Sequence, residues 1–213
     1  MSSILERINS ITVKEMLENI RLKCDDLLHD FTNINISLGK PEGGYMDVSY
    51  HENVIYITTA HEKLTDYGVY IENGEYNIDN NNENIATDML IPVFDLLRTV
   101  PSYEEQYKLV FWVAFMIAHE LGHVLDIERN RASFNMRYRN QELSIIGVLA
   151  EMDEISDNIS KYTCISKDSL LNKWYASLFD VESRYRNLPL EAVADSIAIN
   201  EILVDISLSD LLR

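Results

Sequence analysis

Nine consecutive apolar residues, Val110-Phe111-Trp112-Val113-Ala114-Phe115-Met116-Ile117-Ala118, run directly into His119-Glu120-Leu121-Gly122-His123. Ser102 followed by Glu105 has the spacing of a capping box, and no proline interrupts the chain from there to Ile127. The segment is therefore predicted to be a helix over about 103–127. A helix that is apolar all round must be wrapped by other elements. Its apolar run is shorter than the ~20 residues a membrane span needs. Two histidines four apart fall on one helical face, about one turn (~5.4 Å) apart along the axis. Two imidazoles and a carboxylate at the end of a buried helix are costly unless something compensates them. Hydrogen bonds within a plain core helix are one answer, and a metal cation held by both rings is the other.

Zinc suits two imidazoles, and a catalytic zinc normally takes three protein ligands. Glu120 lies beside the pair, where it can take a proton from an attacking water. Two carboxylates compete to be the third ligand. Asp126 shares the face of His119 and His123, but its short side chain suits a hydrogen bond to an imidazole better than ligation. Glu191 lies 68 positions beyond His123, in Pro189-Leu190-Glu191-Ala192-Val193-Ala194-Asp195-Ser196-Ile197-Ala198. Pro189 fits a first helical turn, and the apolar spacing continues to about residue 205. Glu191 and Asp195, four apart, share a face, and Ala192, Ala194 and Ala198 are small enough for close packing on the motif helix. Glu191 is then the third ligand, while Asp195 accepts a hydrogen bond from a ligand histidine.

His119-Glu-Leu-Gly-His123 followed by Glu191-x-x-Ala194-Asp195-x-Ile197-Ala198 resembles the ImmA/IrrE-type zinc metallopeptidases, within the gluzincin pattern HExxH…ExxxD. The resemblance implies one zinc per chain on His119, His123 and Glu191, with Glu120 as catalytic base. It also implies a cytoplasmic protease whose substrate is a DNA-binding transcriptional repressor. A second resemblance, to the anthrax-lethal-factor and Pro-Pro endopeptidase group, rests on His119 to Asp126 as H-E-x-x-H-x-x-D and on a tyrosine before the glutamate helix. Tyr185 is the match.

The formal charge of −17 argues against direct binding of DNA or RNA, and it would attract a basic protein substrate. Plain solubility explains such a charge equally well. Two cysteines, Cys24 and Cys164, lie far apart in polar surroundings, which points to a reducing interior. Met1-Ser-Ser-Ile-Leu-Glu-Arg lacks the basic and apolar regions of an export signal, so a cytoplasmic, non-membrane protein is expected.

At 213 residues the chain is expected to be one domain. The fold class is α+β: a predominantly helical, zincin-like domain with a small antiparallel sheet in its N-terminal half, ahead of the motif helix. Thr12 and Glu15 cap an amphipathic helix over 12–29, and strands fall at 34–38, 46–50 and 54–59. The first two strands flank the turn residues Gly39 to Gly44. Asn73-Gly74 marks a hairpin, and residues 79–84 a polar loop. Further helices are expected at 85–100 with a break at Pro92, at 141–161, and at 169–181 with Asp168 as cap.

Arg129, Arg131, Arg137, Arg139, Arg184 and Arg186 are expected to pair with surface carboxylates. One of them, or Tyr138, or by preference Tyr185, could instead stabilise the oxyanion of a tetrahedral intermediate. His29, His51 and His61 have no partner at ligand spacing and are expected at the surface. The alternative to a peptidase is a metal-containing interaction protein that inactivates its partner by binding.

Overall fold

The computed structural model describes residues 4–28, 33–39, 46–51, 54–67, 69–72, 75–78, 92–162, 180–181 and 183–213. The polar loop at 79–84, residues 85–91 of the helix expected at 85–100, most of that expected at 169–181, His29 and Cys164 lie outside the described residues. About 70% of the interpretable residues are helical. The helices are α1 (Ile4–Ser10), α2 (Val13–Lys23), α3 (Asp25–Leu28), α4 (residues 92–97), α5 (Lys108–Tyr162), α6 (Pro189–Ile197) and α7 (Leu208–Leu211). The strands are β1 (Asn33–Leu38), β2 (Met46–His51), β3 (Val54–Thr59), β4 (Val69–Glu72) and β5 (Glu75–Ile78).

Thr12 and Glu15 form the expected reciprocal cap: the Thr12 hydroxyl accepts from the Glu15 amide, and the Glu15 carboxylate accepts from the Thr12 amide. The helix breaks at Cys24, one turn earlier than its periodicity predicts, and resumes as α3. Cys24 is buried rather than set in polar surroundings, and its thiol donates to the Ile202 carbonyl. Burial pushes that thiol up to about 11, which leaves it unreactive near neutral pH.

The second capping box does not form. Ser102 donates its hydroxyl to the Ile206 carbonyl, and Glu105 is drawn to Arg98 and Tyr103. With both side chains engaged elsewhere, a 3-10 turn over Glu105–Tyr107 precedes α5 and the helix proper starts at Lys108. The run to Tyr162 is two helices joined at a kink: the first ends at Arg129, close to the expected 127, and the second takes in the helix expected at 141–161. Its one non-helical residue is Asn130 (φ −136°, ψ 34°), where the axis kinks.

The three-stranded sheet is mixed, not antiparallel. β3 inserts between the other two, parallel to β1 and antiparallel to β2. Composition explains the order. Ile55, Ile57 and Thr59 of β3 are buried, so this strand takes the centre. β1 carries Asn33, Asn35 and Ser37, while β2 carries Asp47 and Ser49; these polar strands take the edges. β4 and β5 form a separate antiparallel pair, with Asn73 and Gly74 outside the described residues.

Residues 110–118 of α5 are the centre of the core, every one buried except the partly buried Met116. α2, β2, α6 and α7 all pack against α5. The helical stretch Glu105–Ser133 is long and apolar enough to cross a membrane, so length does not exclude a span. Its apolar window is instead 78% buried within the protein itself, as a core helix is.

Candidate metal centre

α6 crosses α5 closely because the contact is made of the smallest side chains. Ala194 and Ala198 are buried there, whereas Ala192 is exposed and takes no part. Opposite them lies Gly122: a Cβ at that position would sit 2.7 Å from the Ala194 carbonyl oxygen. This approach brings Glu191 onto the two histidines.

The three side chains expected as ligands converge. Nε2 of His119 lies 3.1 Å from Nε2 of His123 and 3.2 Å from Oε2 of Glu191. Nε2 of His123 is 3.6 Å from the same carboxylate oxygen. Bonds of ~2.05 Å in tetrahedral geometry put ligand atoms about 3.3 Å apart, so these separations bracket the value for one zinc. His119 and Glu191 are buried, and His123 is partly so.

Nδ1 of His119 donates to Oδ1 of Asp195 at 2.7 Å. A carboxylate can only accept, so this bond places a hydrogen on Nδ1; Nε2, when it carries no proton of its own, presents its lone pair between Glu191 and His123. Three electron-rich atoms then face one another in a buried space, an arrangement that a cation resolves. The charges nearby are mostly negative: Glu120, Glu191, Asp195 and Asp47 of β2 stand against Arg186, 3.1 Å from Asp195. The residues present fit zinc in number, donor type and spacing.

Proton affinities show the same demand for positive charge. Burial depresses His119, but its hydrogen bonds to Asp195 and Glu191 outweigh this and push it up to about 9. Burial works to raise Glu191, yet His119 and His123 hold its carboxylate well below the usual range. Burial pushes Glu120 up; the two imidazoles oppose this, while Glu191 and Asp47 of β2 reinforce it. Burial, and after it the nearby negative charge of Glu191, pushes the Tyr185 phenol up.

Asp126 is buried near the cluster, but its carboxylate is held by Arg137 at 2.6 and 2.7 Å and by Asn130 at 3.3 Å. Its partner is therefore a guanidinium rather than the imidazole expected. Arg129 pairs with Glu201 at 2.8 Å and Arg184 with Asp180 at 3.1 Å, both exposed ion pairs. Arg186 faces the cluster instead of the surface. Tyr138, 49% exposed, stands on α5 beyond the kink. His61 is not a surface residue but half-buried, edge-on to Tyr67. The His51 side chain lies outside the described residues.

Sequence reasoning gave Gly122 no place at the site, and it admitted Arg186 and Arg137 only among the alternatives for the oxyanion, not as the partners of Asp195 and Asp126 that they are. Gly122 carried a usable signal: it is the lone glycine between Ser102 and Ile127, and small residues recur in the helix that covers it. Arg186 and Arg137 carried none, because each owes its role to a contact made only in the folded chain. Comparison with protein-family models, curated proteins and solved structures gave no match.

Proposed function

We propose that this protein is a zinc-dependent endopeptidase with a zincin-like active site, one zinc per chain being held by His119, His123 and Glu191. The observation that carries the reading is the convergence of these three donors at zinc spacing, with Glu120 beside them. Bound zinc supplies Lewis acidity, polarising a carbonyl and making water a usable nucleophile near neutral pH.

The chain's own groups do the rest. Glu120, its proton affinity raised by burial, takes a proton from the attacking water and returns it to the departing amine. Asp195 keeps His119 in the tautomer that offers Nε2. Tyr185 stays protonated at neutral pH, so its hydroxyl can donate to the oxyanion that develops at the scissile carbonyl. β2 is an edge strand packed on α5, and such an edge can hold extended peptide through backbone hydrogen bonds.

The substrate is a protein or peptide. The charge of −17 favours basic chains, and the ImmA/IrrE-type resemblance makes a DNA-binding repressor the first one to try. A reducing, cytoplasmic setting agrees with the free, buried Cys24.

Purified protein should contain about one zinc per chain, the occupancy of a catalytic site. Glu120→Gln should keep that zinc while cleavage of a peptide library falls by about 10²–10⁴-fold. Zinc-free protein, or a Glu120→Gln variant cleaving at the unmodified rate, would overturn the reading.

A further inference from the structure

We propose that Arg186 is a positioning residue of the metal centre: anchored on two aromatic rings, its guanidinium holds the Asp195 carboxylate against Nδ1 of His119. The proposal rests on reading His119, His123 and Glu191 as zinc ligands, and it does not depend on the reaction performed there.

One oxygen of Asp195 serves two donors. His119 reaches Oδ1 at 2.7 Å and Arg186 reaches it at 3.1 Å, while Asp195 itself is only 4% exposed. A carboxylate that deeply buried needs a positive partner, and the His119 N–H alone carries no full charge when His119 binds metal. Arg186 supplies it. The guanidinium carbon lies 5.7 Å from the Phe115 ring centre and 5.5 Å from that of Tyr185, within cation–π range. Phe115 stands one turn before His119 on α5, with their rings 5.9 Å apart. Arg186 therefore registers three things against one another: the motif helix through Phe115, the glutamate helix through Asp195, and the residues 183–186 from which it springs. A planar fork fixed on two rings can aim a carboxylate, which a freely rotating ammonium does poorly.

The test is zinc affinity, measured by competition with a chromophoric chelator, alongside the unfolding midpoint of chelator-stripped protein. Arg186→Met should weaken zinc binding about 10–100-fold, as loss of an outer hydrogen-bond partner does. Arg186→Lys should recover part of that loss, since it keeps the charge and forfeits the fork. If Arg186 acts through Asp195, adding Arg186→Met to Asp195→Asn should weaken zinc binding little beyond Asp195→Asn alone. Should Arg186→Met not fold, Arg186→Gln carries the same comparisons. A merely structural arginine would lower the midpoint of metal-free protein and leave the zinc affinity of the folded variants within threefold of the parent; that result overturns the proposal. Fully additive losses in the double variant would do so too. Parent protein that binds no zinc overturns the metal centre itself, whereas zinc-binding parent with an equally tight Arg186→Met removes only the role of Arg186.

Discussion

At position 122 a methyl group would meet the backbone of Ala194, 2.7 Å from its oxygen and 3.1 Å from its Cα. Two effects oppose each other in Gly122→Ala. Alanine is the better helix former by about 1 kcal/mol, whereas overpacking a buried contact costs about 1–3 kcal/mol. Because the obstacle is main chain, no rotamer change relieves it, and α6 must move away. Stability should therefore fall by about 0–2 kcal/mol in a denaturant melt. Zinc affinity should fall more steeply, because the donor atoms tolerate only a few tenths of an ångström in their bond lengths. Unchanged affinity would show that the close approach does not set the donor spacing. Legibility at this scale follows periodicity. His119, Glu120 and His123 share one helix, so spacing revealed them; Glu191 and Asp195 share another, and their spacing, common among acidic residues here, gained meaning only beside the first set. Asp126 was read on the right face but with the wrong neighbour, since its arginine lies 11 positions on, beyond a kink that no repeat announces.

That kink is a feature of the element. Asn130 leaves helical geometry, and the Asp126–Arg137 pair spans the break. Asp126 is buried, so Arg137→Met would strand an anion in the core and should cost about 1–3 kcal/mol, a range for one unsatisfied buried group. Asp126→Asn combined with Arg137→Met should restore part of this, since no charge is then left alone. Equal losses in the single and double variants, read from chemical denaturation, would mean the pair contributes nothing as a pair. The strands make a parallel point. Alternation marked where β1, β2 and β3 lie, but their order was settled by competition for the buried central place, which β3 won. The two capping boxes share one spacing, yet one formed and the other lost its serine to the distant Ile206 carbonyl and its glutamate to the nearby Arg98 and Tyr103. Local pattern decides where nothing else competes.

Across the whole molecule, the two ends of the described chain are joined. Arg7 donates to the carbonyls of Leu212 and Arg213, Asn19 donates to that of Leu211, and Lys23 pairs with Asp210 at 2.8 Å. None of this was legible, because it depends on side chains meeting backbone from opposite ends of the sequence. Partial burial opposes ionisation of Asp210, but Lys23 and the Ser207 cap outweigh it and bring the carboxylate down to about 2 from 3.8. A depressed carboxylate stabilises the fold above its unfolded value, and the contribution fades as pH falls through the folded one. Asp210→Asn should therefore be less stable than the parent above pH 3.8, and the gap should close towards pH 2. Thermal melts across that window check it; a gap independent of pH would remove the charge from the explanation. The spacing of the three proposed donors along the chain also has a consequence for biosynthesis. While a ribosome is still making this polypeptide, the histidines emerge long before residue 191 does. The proposed centre can be complete only after α6 has been translated and has folded back, so a nascent chain lacks it until its last turns of helix are made.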